Sequence, residues 1–257
     1  QLAEEAAQRE RDLRTEAEAA RQQAEKVTEF LVDIFRSPDP ERDGRTITVA
    51  EMLDMAKTRV ETEFQDDKLL QAKLLEALAA TYRGLGLTSE SAELWKQAYD
   101  TFRDVLGAEH ADTLVAMGGL AHIYWSLDRL DESIPLFEEI LTICRRVCGE
   151  DHPDTLQAMA NLGTNYDSAG RVDEAISLLE ETLKRCQRKL GAEHATTFLT
   201  MNNLAAAYME AKRQDEALSL REASFRVHKK TLGPEHPDTL LSMGNLAAAY
   251  LAMDRMD

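Results

Sequence analysis

From about residue 66 onward, apolar positions recur three or four residues apart, in blocks that themselves repeat every 42 residues. Tyrosine marks the period at Tyr82, Tyr124, Tyr166, Tyr208 and Tyr250, and leucine marks it at Leu78, Leu120, Leu162, Leu204 and Leu246. Spacing of this kind predicts two amphipathic helices per block and no strand. In the block around residue 163, helix A carries Met159, Leu162, Gly163 and Tyr166 on one face, and SAGRVD (168–173) interrupts the pattern. Helix B then runs from about Glu174 to Leu190, with Ala175 and Leu179 inward. Ala79, Ala121, Gly163, Ala205 and Ala247 hold the position after the leucine, where a small residue lets helices approach closely. Five A helices and four B helices are expected between about 67 and 253. Self-similarity at such a period defines an all-α solenoid, in which each unit buries its apolar face only against its neighbours.

The chain ahead of the repeats has a different character. Residues 1–36 read as a long charged helix, with Glu5–Arg9 and Glu10–Arg14 pairs spaced to face each other. Its end carries an apolar stripe, Val27, Phe30, Leu31, Ile34 and Phe35, that must pack on something. The prolines and glycine of SPDPERDGR place a linker at 37–47. Thr48 and Glu51 fit a capping box opening a short helix within 48–65. That leaves 66–257 as the repeat array, with four full repeats and helix A of a fifth. Gln1 and the mid-repeat Asp257 suggest a piece cut from something longer. Met243, Leu246 and Tyr250 would then lack their covering helix, and the last helix is expected to be disordered or buried against a second copy. Residues 1–35 are another candidate for self-association.

Charge and chemistry narrow the function. Asp and Glu number 47 against 30 Lys and Arg, a net charge of −17 that repels phosphate backbones, so nucleic acid is not an expected partner. No run of about 20 apolar residues occurs, so no membrane contact is expected of this chain. Three cysteines, Cys144, Cys148 and Cys186, are too few for a disulfide framework and are expected to be buried or half-buried. His110, His152, His194 and His236 form a ladder, but successive repeats stand about 8–10 Å apart, whereas zinc needs ligands at about 2.0–2.3 Å. They precede helix A of the second to fifth units, two of them followed by Pro153 or Pro237 and then Asp154 or Asp238, and are read as caps, with no metal and no cofactor. Met117, Met159, Met201 and Met243 are read as core. No nucleophile, base and orienter occur at a recognisable spacing, so the chain is read as non-catalytic.

The leucine, small-residue and tyrosine pattern, with Ala175 or Ala217 in helix B, resembles the tetratricopeptide (TPR) motif. The longer period, with LGPEHPDTL (232–240) and NLAAAY (245–250), is similar to the kinesin-light-chain variety, which implies a right-handed α-solenoid. GAEHATTF (191–198) departs by lacking the Pro-Asp, and the first unit lacks the histidine turn. The flank at 25–64 resembles the stretch between membrane helix and TPR array in bacterial serine/threonine protein kinases. That likeness implies a regulatory or sensor region of such a kinase, although no Gly-rich loop, HRD or DFG is present here. A stand-alone adaptor resembling kinesin light chain is the alternative. The TPR resemblance further implies a concave groove binding a protein or extended peptide, with Asn161, Asn203 and Asn245 gripping its backbone. Each lies about 100° around helix A from the buried face, and an amide both donates and accepts. Asn202, His122, Trp125, Asp167 and Met209 would line or rim the same groove, which lacks lysine and arginine and so suits a partly apolar peptide. Gly119 and Ala77 interrupt the amide ladder toward the N-terminal end.

Overall fold

The computed structural model describes Glu18, Arg21, Phe30 and residues 48–253. The described residues are all-α, with ten helices and no strand. They divide into two compact units, Gln1–Ala116 and Met117–Asp257. The expected long charged helix at 1–36 and the linker fall outside the described residues, apart from three positions.

In the first unit, Thr48 caps α1 (Val49–Glu63), and Glu51 reaches back to the Thr48 backbone N–H at 2.7 Å, closing the expected capping box. Phe30 is buried, edge-on to Phe64 at 5.4 Å between centroids and under Arg59. At that one position the apolar stripe has found its cover. Helices α2 (Lys68–Gly84) and α3 (Thr88–Leu106) form the first hairpin, and α4 (Ala111–Ser126) begins the second. The Tyr82 hydroxyl donates to Asp54 of α1 at 2.5 Å.

The second unit holds the rest of α4 and then α5 (Leu130–Cys148), α6 (Pro153–Ser168), α7 (Val172–Lys189), α8 (Ala195–Glu210), α9 (Gln214–Thr231) and α10 (Pro237–Ala252). Helix B of the 163 block thus starts two residues before the expected Glu174. The period fixes its packing. Met159, Leu162, Ala175, Leu179, Leu204 and Ala205 are all buried, and a Cβ built on Gly163 would meet Leu179 Cγ at 2.6 Å. Only glycine lets α6 and α7 come this close. Ala247 is instead exposed, as is Met243, whose equivalents Met117, Met159 and Met201 are buried. The last helix nonetheless holds its fold, with the Tyr250 hydroxyl donating to Glu222 at 2.7 Å, so the expectation of disorder does not hold over 237–252.

That tyrosine contact is itself periodic. Tyr166 donates to Glu138 at 2.8 Å and Tyr208 to Glu180 at 2.7 Å, each reaching 28 residues back to the preceding helix B. Arg171 and Arg213 lie over these two rings, 4.0 and 4.3 Å from the centroids, and each also forks onto a glutamate, Glu174 or Glu216. Each arginine thus braces the turn between helices A and B of its own repeat, while the tyrosine hydroxyl ties that repeat to the one before.

The turns repeat as faithfully. Gly149, Gly191 and Gly233 take φ of 93°, 92° and 89°, a region that disfavours side chains, which explains the periodic glycine. The next helix A then starts on a histidine cap: Nδ1 of His152, His194 and His236 accepts the backbone N–H two residues on, at 3.2–3.3 Å. His110 does the same in the first unit. Thr155 and Thr197 hydroxyls lock the turn by donating to the carbonyls of Gly149 and Gly191, both at 2.7 Å.

Candidate functional site

Each helix A of the second unit turns one register away from the core. On α8 this face runs Leu199, Asn202, Asn203, Ala206, Met209 and Glu210, none of them buried. The register repeats on α6 with Gln157, Asn161, Thr164, Asp167 and Ser168, and on α10 with Leu241, Gly244, Asn245, Ala248 and Leu251. On α4 it holds Gly118, Gly119, His122, Trp125 and Ser126. All eight residues expected at the groove lie on these stripes.

Polar side chains stitch neighbouring stripes together. Trp125 Nε1 donates to Ser168 Oγ at 2.8 Å, Asn203 Nδ2 to Thr164 Oγ1 at 2.6 Å, and Thr196 Oγ1 to Gln157 Oε1 at 3.0 Å. Gln157 Nε2 in turn donates to Asn161 Oδ1 at 3.1 Å. The amides are therefore half-used within the protein. Among the described residues Asn161 keeps its Nδ2 donors and Asn203 its Oδ1 acceptor, while the Asn245 side chain makes no such bond. Asn245 contributes only its backbone carbonyl, to Arg221 at 2.5 Å. Asn165, on the same helix as Asn161, shows the contrasting case. It is buried, accepts from Ser133 at 2.6 Å and donates to the Asn161 carbonyl at 2.9 Å.

Position gives each remaining residue a character. Trp125, Asp167, Met209 and Leu251 are equivalents 42 residues apart, an apolar row broken by one carboxylate. Trp125 is 39% exposed with its indole N–H held, so the ring is fixed yet available. His122 packs edge-on against Phe137, 5.2 Å between centroids. Burial pushes the Asp167 carboxyl up to about 6, the Glu210 charge adding to it, and its Oδ1 is buried without a hydrogen-bond partner. The stripes carry no lysine or arginine, so Asp167 and Glu210 give the face an acidic sign.

Sequence reasoning missed Gln157, Thr164 and Ser168, although the same register names them. It also missed His228, which sits on α9 where the apolar pattern signals core. The thiols divide: Cys144 and Cys186 are buried, and burial pushes Cys144 up to about 11, but Cys148 is exposed, against the expectation of a buried or half-buried group. Cys148 lies past the last apolar contact of α5, at the helix end. Its ligand atom and those of His152 and Asp154 lie within 4.8 Å of one another. Helix capping accounts for that grouping. His152 Nδ1 already accepts from the Asp154 N–H, as the other repeat histidines do where no cysteine stands nearby.

Helix hairpins in a fixed period, presenting ordered polar stripes, define a protein-interaction scaffold. The tetratricopeptide-repeat family model matches residues 70–131, 116–188, 168–219 and 196–257, and the chain belongs to this family. Its repeats are of the kinesin-light-chain type. A Podosopora anserina protein described as a kinesin light chain with nearly identical TPR-like repeats is 30% identical, over 71% of this chain and 87% of that one, with a TM-score of 0.61. A single-residue variant of it gives 31% identity, 71% and 86% coverage and a TM-score of 0.62. BtubC (BKLC) from P. vanneervenii shares the fold at 20% identity, covering 81% of this chain and 86% of its own, with a TM-score of 0.65. No curated protein matches the sequence significantly. Among the described residues no helix is long and apolar enough to cross a membrane.

Proposed function

We propose that the stripes of α4, α6, α8 and α10 bind an extended protein segment through its backbone. The observation that carries this is the complementary state of Asn161 and Asn203. One offers donors and the other an acceptor, on adjacent helices and in register, which matches the N–H and C=O that every peptide unit presents. Trp125, Met209 and Leu251 supply apolar contact beside them, and the ladder fades at Gly119. Short peptides selected from a random displayed library serve as the probe. The Asn161→Ala/Asn203→Ala double variant should bind every selected peptide more weakly by about 1–3 kcal/mol, roughly 5- to 150-fold. Undiminished affinity in that variant would count against the assignment.

In its parent protein the array, 66–257, acts as the non-catalytic regulatory region of a bacterial serine/threonine kinase, joined through a spacer at 1–36, a linker at 37–47 and a capping helix at 48–65. The likeness of residues 25–64 to the flank in such kinases supports this reading. A stand-alone adaptor is favoured instead by the identity to the Podosopora protein. The complete gene decides: kinase motifs upstream in the same polypeptide support the first reading, and their absence overturns it.

A further inference from the structure

A cavity of about 220 Å³ lies where α8, α9 and the start of α10 meet, lined by Phe198, Asn202, His228, Asp238, Leu241 and Ser242. Asn202 and Leu241 belong to the stripes, so the cavity adjoins the face assigned to the peptide. Its wall holds an unusual group. His228 is only 6% exposed, and its Nδ1 is buried with no hydrogen-bond partner. Such atoms are rare in folded proteins, because leaving one unpaired forfeits a hydrogen bond that water would have made. The ring cannot simply swing away, since it stacks on Phe198 at 3.7 Å between centroids.

The chemistry of the lining selects an occupant. Ser242 Oγ donates its proton to the Thr239 carbonyl, so it has only lone pairs left to offer. Asp238 brings a carboxylate, 3.7 Å from His236 Nδ1, and Asn202 an amide oxygen, while His228 presents the ring stacked on Phe198, pushed by burial toward its neutral form. The site is thus rich in acceptors, holds one negative charge and has apolar walls in Phe198 and Leu241. Among side chains, arginine answers all three features. Its guanidinium presents five donors in a planar fork, stays charged, is weakly hydrated and stacks on rings, and its stem is apolar. Lysine offers a compact, strongly hydrated point charge that cannot reach several acceptors at once.

We propose that this cavity is a specificity pocket for an arginine side chain of the segment bound along the stripes, with the guanidinium pairing with Asp238 and packing against the stacked Phe198 and His228 rings. The proposal rests on the peptide-binding reading of the stripes and adds to it the side chain that sets the register. The acidic sign of the face around Asp167 and Glu210 and the net charge of −17 favour the same class of ligand.

The test uses the whole chain and a random displayed peptide library. Peptides selected by the wild-type protein should be enriched in arginine at one fixed position. Changing that arginine to citrulline, which keeps the shape and removes the charge, should weaken binding by about tenfold or more. In Asp238→Asn, whose folding is checked by thermal melting, the same change should matter less than about threefold. Nitrogen NMR of His228 in the wild-type protein provides a readout independent of any variant. Its ring resonances should move on adding the arginine peptide, as a cation comes to lie against the ring, and stay put with the citrulline peptide. Selected peptides without an arginine preference, a citrulline effect under about twofold, or an unmoved His228 resonance would overturn the pocket. The peptide-binding reading fails separately, when the Asn161→Ala/Asn203→Ala variant binds these peptides as well as wild type.

Discussion

Leu179→Ala is expected to destabilise the second unit by about 2–5 kcal/mol, because a fully buried leucine leaves a cavity that helices held on both sides cannot collapse. The partner change sharpens the test. Gly163→Ala would place a methyl group 2.6 Å from Leu179 Cγ, too close for a buried side chain to accommodate without moving α6 or α7. Overpacking of this kind costs about 1–3 kcal/mol, against roughly 1 kcal/mol gained from alanine's helix propensity. Gly163→Ala should therefore destabilise on balance. At Gly244, where an added Cβ meets nothing within 4 Å, the identical substitution should stabilise by about 0.5–1 kcal/mol. In the Gly163→Ala/Leu179→Ala double variant the new methyl occupies space the leucine vacated, so the combined loss should fall below the sum of the single losses by about 0.5–3 kcal/mol. Denaturant unfolding of the four variants beside the wild type reads all of this. Strict additivity, or a stabilising Gly163→Ala, would contradict the packing described.

The second large effect has the opposite sign. Asp167→Asn is expected to stabilise the protein at neutral pH. A carboxyl held at about 6, well above the ordinary value, is a charge the fold disfavours. Two pKa units correspond to about 3 kcal/mol, and partial exposure of Asp167 reduces the expected gain to roughly 1–2 kcal/mol. The pH window follows from the direction of the shift. Above about pH 6 the native state carries the full penalty of the ionised group. As pH falls through that value Asp167 takes up its proton in the native state, and near about pH 4 the unfolded chain is protonated as well. The advantage of Asp167→Asn should be largest above about pH 7 and should vanish by about pH 4. Burial lowers the His228 pKa, which works the other way: its penalty appears as pH falls below the ordinary histidine value of about 6.5. Comparing variant with wild type at each pH cancels that contribution. A gain independent of pH would show that the Asp167 charge is not what the fold resists. A residue that lowers stability while facing an open stripe is the usual mark of a site kept for binding.

The period of 42 residues was enough to specify the helices, their pairing and the core. Leu162, Met159 and Tyr166 recur at fixed offsets, and a helix hairpin has only one way to bury such a face against its neighbours. The glycine and histidine of each turn were legible for the same reason, since their chemistry is local, a positive φ and an N-cap; the threonine hydroxyl bonded six residues back at Thr155 and Thr197 appeared only in the structure, and Thr239 at the last turn lacks that bond. Register also placed the eight stripe residues, because a helix fixes which positions share a face. Bonding state could not be read this way. That Asn161 has given up its oxygen to Gln157 and Asn203 its amide to Thr164 depends on side chains 4 and 39 residues away, and the second of these meets Asn203 only after two helices have packed. Asn165, four residues on from Asn161 and only about 40° around α6, is buried where Asn161 is not, and there it accepts from Ser133. His228 is the extreme case. Its position in a helical pattern says core, while the unpaired Nδ1 and the cavity beside it arise only where three helices meet, a geometry that no single stretch of sequence encodes.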